Sequence, residues 1–155
     1  FKEQTMNDIS ATGLSLIIQA SKTFPAGIPI TTFSDEGDPL DLPTVNITQT
    51  AVDINGNLVS WSSPTPQTVT INVLAGSEED ENLAILFDAN TARRGRRPAS
   101  DVITLVASYG DGSITTARNG RITGGCRGNS VAGVGRLKSK QYTFIFQDFD
   151  RVRAR

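Results

Sequence analysis

Apolar and polar residues alternate along most of this chain, a pattern typical of half-buried β-strands. Residues 12–21 place four apolar side chains on one face: Leu14, Leu16, Ile18 and Ala20. The alternation recurs at residues 68–74, with Val69, Ile71 and Val73 inward, and at residues 141–149, with Tyr142, Phe144 and Phe146 inward. Residues 102–107 are apolar on both faces, which predicts a central strand.

Turn residues divide these strands. Asn55-Gly56 is a strong hairpin signal, since both central positions of a type I′ turn need positive φ. It predicts a hairpin of residues 44–54 and 58–62. Residues 53–57 also mimic the start of a calcium loop, but the bidentate glutamate is missing at its required spacing, so a simple turn is favoured. Prolines and glycines in residues 24–43 leave room only for a short strand at 28–33 and an exposed acidic loop at 34–39.

One helix is expected, over about residues 78–94. Ser77 is its predicted N-cap, and four acidic residues in the first turn complement the helix dipole. Leu83, Leu86 and Phe87 form an apolar stripe, which Ile85 widens. Arg93 and Arg94 would occupy the last turn, and Gly95 would end the helix.

Residues 114–117 predict a short strand, and residues 119–136 contain six glycines, which indicates a mobile segment or a glycine-weakened hairpin. Eight or more strands with one helix predict a mainly β fold. We expect residues 1–155 to form a single domain, a β-sandwich or partly closed barrel with the helix on its flank.

Charge is strongly segregated along the chain. Residues 1–91 contain twelve acidic and two basic side chains, whereas residues 92–155 contain four and thirteen, for a net charge of −1. Opposite halves of this kind can pair within one molecule or between copies, and we expect the second. Head-to-tail contacts between copies generate rings or filaments.

Composition argues against common catalysis. The chain has no histidine, so the usual Ser or Cys triads are impossible, and with one cysteine it has neither a disulfide scaffold nor a closed zinc site. Cys126 beside Arg127 is read as an unreactive small residue. No phosphate loop, signal peptide or membrane-spanning run is present in the sequence. We therefore expect no enzyme activity, no cofactor, no metal and no membrane association.

Two carboxylate pairs offer a weak hydrolase hypothesis. Asp148 and Asp150 share a strand face, and Asp35 and Asp38 share a loop. Glycosidases need two carboxylates that face one sugar. Solvated acids are common at strand ends and in loops, so this hypothesis ranks last.

Several segments, taken in order, resemble the tail-tube proteins of contractile-tailed bacteriophages. They are the hairpin turn at 53–57, the strand at 68–74, the helix from Ser77 through residues 83–90, the strand at 101–107 and the closing strand at 142–149. The resemblance covers about two-thirds of the chain and lies in pattern and order. The glycine-rich stretch is longer than is usual in a tube subunit.

The resemblance implies a structural virion protein of the phage tail, assembled in the host cytoplasm. Either a tube subunit or a tube-to-baseplate adaptor would form hexameric rings that stack around a lumen for genome passage. Its partners would be copies of itself, then sheath, tape-measure or baseplate proteins, with DNA passing without specific binding. A lumen that passes DNA should be acidic or neutral.

Oppositely charged segments are the candidates for contacts between subunits. They are Asp35, Glu36, Asp38, Asp41, Arg93, Arg94, Arg96, Arg97, Arg118, Arg121 and Arg127. The alternative function is a nucleic-acid-binding module that uses the basic C-terminal half to neutralise phosphates.

Overall fold

The alternating segments form one large antiparallel sheet. The computed structural model describes residues 13–33 and 39–153, and within them it contains nine strands and one helix. The elements are β1 (Ser15–Ala20), β2 (Phe24–Ile30), β3 (Leu40–Asp41), β4 (Thr48–Val52), β5 (Leu58–Ser62), β6 (Gln67–Val73), α1 (Glu78–Ala89), β7 (Ile103–Ser108), β8 (Ile114–Gly124) and β9 (Lys140–Val152). The prediction of a mainly β fold with one flanking helix is confirmed.

The main sheet has seven strands in the order β2-β1-β7-β8-β9-β6-β3, and β4 and β5 form a separate two-stranded sheet. Phe33, three residues after β2, pairs with Val73 of β6. Three residues span about 10 Å at most, yet a flat sheet would place β2 and β6 about 24 Å apart across five strand spacings. The sheet therefore curls into a partly closed barrel.

The curled sheet and the helix enclose a single hydrophobic core. The inward side chains of β1, β2, β6, β7 and β9 are almost fully buried, and α1 adds Leu83 and Leu86. Tyr142, Phe144 and Phe146 are the largest of these side chains. The inward sets that the alternation predicts in β1, β6 and β9 are therefore confirmed, except that Leu14 is only partly buried.

Helix α1 begins as predicted but ends earlier. The Ser77 hydroxyl accepts a hydrogen bond from the Asp80 backbone N–H at 3.2 Å, which confirms the N-cap. The helix stops at Ala89, so its expected extension to residue 94 is wrong. Asn90 ends it because its side chain donates to Leu86 O and to the Asp101 carboxylate, both at 2.9 Å. Ile85 is 54% exposed and does not widen the apolar stripe.

Three strands are longer than the sequence pattern indicates. The closing strand expected at 141–149 runs from Lys140 to Val152. The strand expected at 28–33 runs from Phe24 to Ile30, because β2 is an edge strand, where Pro25 and Pro29 are tolerated. The short strand expected at 114–117 continues to Gly124 and takes up the first glycines of the 119–136 stretch. Gly120 is required there, since a Cβ would lie 2.2 Å from the Phe146 ring. The rest of that stretch includes a tight turn closed by a Val131–Leu137 bridge.

Candidate assembly surfaces

The β4–β5 hairpin stands apart from the core. Five residue pairs join its strands, from Thr48 with Ser62 to Val52 with Leu58. Every residue of both strands is exposed. An isolated two-stranded hairpin is marginally stable in water. This element therefore lacks the packing that normally stabilises a strand pair.

Local hydrogen bonds define the hairpin turn. One oxygen of the Asp53 carboxylate accepts backbone N–H groups from Asn55 at 2.9 Å and Asn57 at 2.8 Å. The hydrogen bond from Asn57 is the main reason that the pKa of Asp53 lies below its usual value of 3.8. Gly56 adopts a φ of 84° that favours glycine. The carboxylate is thus ionised at neutral pH and is used by its own turn.

The two faces of the hairpin differ in chemistry. One face carries the apolar side chains Ile47, Ala51, Val59 and Trp61 together with Gln49, because alternate residues of paired strands share a face. Trp61 is 47% exposed and Ile47 is 68% exposed. The other face carries the hydroxyls of Thr48, Thr50, Ser60 and Ser62 and, next to the turn, the apolar pair Val52 and Leu58. We call the first set the apolar face of the hairpin. An exposed apolar surface of this kind is typical of a protein–protein contact.

The first arginine group follows the helix as a tight turn. Arg93 and Arg96 bridge to each other, with Gly95 at a φ of 78°. All four arginines of residues 93–97 are exposed. Arg93 contacts Asp88 at 3.4 Å, with both side chains more than half exposed. Such a pair contributes at most about 1 kcal/mol. We call residues 93–97 the arginine turn.

Of the acidic partners predicted for these arginines, Asp41 is the one that lies within the part of the chain that the structure describes. Asp35, Glu36 and Asp38 lie outside the described residues. Asp41 is exposed in β3, where it pairs with Thr70 in the sheet. Among the described residues, no ion pair joins Asp41 to the arginine turn. The complementarity of these two segments stays a prediction.

The remaining candidate arginines lie on or just after β8. Arg118 contacts Asp150 at 3.3 Å in a highly exposed pair. Arg121 is exposed on the same strand, and Arg127 is exposed in the following loop. Asn119 donates to Asp148 at 2.9 Å. Both carboxylates of the Asp148/Asp150 pair, which was considered for hydrolysis, therefore contact side chains of the neighbouring strand β8 at an exposed position.

One acidic residue and one basic residue from opposite halves of the chain do pair internally. Asp80 of α1 and Lys140 of β9 lie 3.3 Å apart, with side chains 3% and 11% exposed. The Tyr142 hydroxyl donates to the same carboxylate at 3.1 Å. Burial, followed by the negative charge of Asp80, raises the pKa of Tyr142. This network fixes the start of the helix to β9, and the sequence pattern gave no sign of it.

A second buried carboxylate holds the end of the helix. Asp101 is 1% exposed. It accepts hydrogen bonds from the backbone N–H groups of Lys22 and Thr23, from the Thr23 hydroxyl and from Asn90. Burial raises the pKa of Asp101, but these hydrogen bonds outweigh burial and hold it below 3.8. Both buried acids therefore serve the fold.

The outward face of the main sheet is largely uncharged. On β1, β6 and β7 its positions carry hydroxyl, amide or aliphatic side chains: Ser15, Ile17, Gln19, Thr68, Thr70, Asn72, Thr104, Val106 and Ser108. Charged outward side chains, among them Arg118 and Arg121, lie on β8 and β9 in the middle of the sheet. The neutral part of this face is therefore formed by β1 and β7 on one side of them and by β6 on the other.

Within residues 13–33 and 39–153, no group of three or more Cys, Asp or Glu side chains is arranged to hold a metal ion. The one helix in those ranges is too short and too polar to cross a bilayer.

Three solved proteins of contractile systems share this fold. A chain of the anti-feeding prophage baseplate, solved with six-fold symmetrisation, is 13% identical over 96% of this chain and 97% of that chain, with a TM-score of 0.61. A chain of the anti-feeding prophage tube-terminating cap is 12% identical over 98% and 97%, with a TM-score of 0.53. The sheath/tube terminator of the PVC extracellular contractile injection system is 16% identical over 97% and 100%, with a TM-score of 0.52. These identities show a shared fold.

The resemblance to contractile-tail tube-like proteins is thereby confirmed. No curated protein matches this sequence. A family model described as tail fiber protein gp32 matches residues 7–150, which is most of the chain. The chain belongs to the tail fiber protein gp32 family.

Proposed function

We propose that this chain is a structural component of a contractile phage tail, whose copies assemble into a hexameric ring coaxial with the tube. Membership of a tail-protein family supports the tail role. The fold shared with cap, terminator and baseplate proteins of contractile systems supports a place at an end of the tube. Of the two roles predicted from the sequence, these neighbours favour the adaptor ring over the repeating tube subunit.

The exposed apolar face of the hairpin is the observation that carries the proposal. Trp61, Val59 and Ile47 together leave a large apolar area in water on an element that contacts little of its own fold. Covering that area against another copy stabilises both the hairpin and the contact. Heterologous contacts of this kind close into a ring when the rotation between copies is right.

Charge would set the register between copies or rings. The arginine turn is exposed and almost unpaired among the described residues, whereas Glu78 and Glu81 are exposed at the start of α1. Together with Asp35, Glu36, Asp38 and Asp41, these acids are the candidate partners of the arginine turn and of Arg118, Arg121 and Arg127. Opposite charges at an interface fix orientation and accelerate association more than they add affinity.

The lumen is assigned to the outward face of β1 and β7 and not to β8, which carries the exposed Arg118 and Arg121. The Ser, Thr, Gln and aliphatic side chains of that part of the face offer no cation to hold DNA phosphates, so DNA would pass without specific binding and reach the host by genome ejection. Sheath, tape-measure or baseplate proteins would contact the outer surface and rims. The particle would be assembled in the host cytoplasm, and the chain would have no catalytic role.

Electron microscopy of the purified protein tests the proposal. We expect rings of uniform diameter, with six-fold averages, at micromolar protein and low salt. Mass photometry on the same sample should give a single large species six times the chain mass. A protein that stays monomeric over a hundredfold range of concentration and from low to high salt would refute the proposal.

A nucleic-acid-binding module is the second candidate, because the arginine turn places four exposed cations within five residues. Filter binding of DNA across a salt series separates the two functions. A binder that neutralises several phosphates gives a steep fall of log K with log salt. The structural role predicts weak binding that is abolished at physiological salt, and tight, salt-steep binding would favour the module.

A further inference from the structure

We infer that the tip of the β4–β5 hairpin of one copy inserts into a groove between β8, β9 and the start of β6 on the next copy. The tip consists of Val52, Asp53, Ile54 and Leu58. This contact rests on the proposed self-assembly and specifies its partner surface. It identifies the two surfaces of a head-to-tail contact, which are the tip of the hairpin and the groove.

The groove is an open depression of about 320 Å³. Its wall is mostly apolar and includes Ile122, Ile145, Phe146 and the ring of Pro66. Arg121 is the one charged residue that lines it. Among the described residues, no carboxylate lies within ion-pair distance of Arg121. The groove therefore suits an apolar side chain that is accompanied by one negative charge.

The tip of the hairpin has that composition. Ile54 is 98% exposed, Leu58 71% and Val52 67%. Asp53 is the single charged residue between Leu42 and Ser77, and its lowered pKa keeps it ionised. Insertion of Ile54 into the groove would cover an exposed side chain and bring Asp53 towards Arg121. The single negative charge of the tip, on Asp53, then lies near the single positive charge of the groove, on Arg121.

The groove of the same chain is beyond the reach of this tip. Gln67 donates to Pro43 O at 2.9 Å and Thr65 donates to Asn46 O at 3.0 Å, so the hairpin base is held beside the groove. From that base the tip extends about 23 Å, at roughly 3.3 Å per residue, and no tip residue lines the groove. The occupant must be the tip of another copy, which makes the contact heterologous.

A charge-swap experiment tests this pairing. Ile54→Lys places a cation against Arg121, and Arg121→Glu places an anion against Asp53, so each change should weaken association at least tenfold. The double variant I54K/R121E places a lysine at the tip opposite a glutamate in the groove. Its association constant should recover to within about threefold of the wild-type value. Mass photometry over a dilution series gives the association constants. The turn made by Asp53 is left intact in all of these variants.

Matched controls separate this contact from general charge effects. Val134→Lys changes an exposed apolar residue in a different turn, 85% exposed, and Lys138→Glu reverses an exposed cation outside the groove. Both should assemble as the wild type does. Single variants that assemble normally, or a double variant that recovers nothing, would overturn the tip-in-groove contact. A wild type that never assembles overturns the proposed function as well, so the two failures are distinguishable.

A disulfide test does not depend on charge. In a Cys126→Ser background, Ile54→Cys and Thr123→Cys together should form intermolecular crosslinks on mild oxidation, seen as ladders on non-reducing gels. The control pair, Val134→Cys with Thr123→Cys, should stay monomeric. Ladders from the control pair alone, or from neither pair in a sample that forms rings, would contradict the inference.

Discussion

Trp61 on the apolar face of the hairpin should control assembly without affecting the stability of the single chain. A buried tryptophan removes up to about 250 Å² from water, and 47% of Trp61 is exposed here. About 120 Å² is thus left for a neighbouring copy to cover. At about 25 cal/mol per Å² this area contributes roughly 3 kcal/mol to each contact.

Trp61→Thr replaces the indole with a β-branched side chain that also favours a strand, but it removes most of that area. We expect a loss of about 2 kcal/mol per contact, which weakens each association constant roughly 30-fold. Because β5 is exposed throughout, the free energy of unfolding of the single chain should change by about 0.5 kcal/mol or less. Thr50→Ser, on the hydroxyl face, is the matched control and should assemble normally.

Sedimentation velocity over a dilution series measures the association constant, and urea unfolding of the dilute protein measures stability. Normal assembly of Trp61→Thr would refute the idea that the apolar face is buried between copies. A large loss of urea stability with normal assembly would show instead that Trp61 packs within its own fold.

Three further predictions concern the fold. Lys140→Met leaves the Asp80 carboxylate buried without its cation and should lower the free energy of unfolding in urea by about 3 kcal/mol. The double variant K140M/D80N should recover most of that loss. A double variant that recovers none of it would contradict the pairing. Gly120→Ala forces a Cβ to within 2.2 Å of Phe146 and should cost about 1–3 kcal/mol, whereas Gly128→Ala, with open space around it, should be neutral in the same thermal melts. Because the folded pKa of Asp101 lies below 3.8, its carboxylate stabilises the fold above about pH 4, and this stabilisation is lost as pH falls through the folded pKa. Asp101→Asn should be less stable at pH 7 and should show a shallower dependence of stability on pH below 4; an unchanged slope would contradict this role.

Short-range patterns predicted the elements whose causes are local. Asn55-Gly56 identified the position of the hairpin. The predicted type I′ turn is wrong, because Gly56 has a positive φ but Asn55 does not, and the Asp53 carboxylate helps to hold the turn. Ser77 identified the helix start because its hydroxyl caps a group three residues away. Alternation identified the core faces of β1, β6 and β9, with Leu14 the one inward residue that stays only partly buried.

Features that depend on contacts between residues far apart in the sequence were not predicted. The helix ends at Ala89 because Asn90 bonds to Asp101, eleven residues later, and no local stop signal marks that contact. β8 continues through Gly120 because the Phe146 ring lies against it. The Asp80–Lys140 pair joins residues 60 positions apart in sequence.

The assembly surfaces were predicted in part. Charge segregation indicated contacts between copies and named the arginines that the structure leaves exposed. The apolar face of the hairpin was missed, although Val59 and Trp61 alternate with Ser60 and Ser62. The groove was missed because β8, β9 and the start of β6 come together only in the folded sheet.

The emission spectrum of Trp61 in isolated rings and in dilute monomer tests the central claim most directly, because the chain contains one tryptophan. If copies assemble through the hairpin, the ring fraction should emit at shorter wavelength than the monomer and should resist quenching by iodide. Rings with the same emission maximum and the same quenching as the monomer would contradict the account.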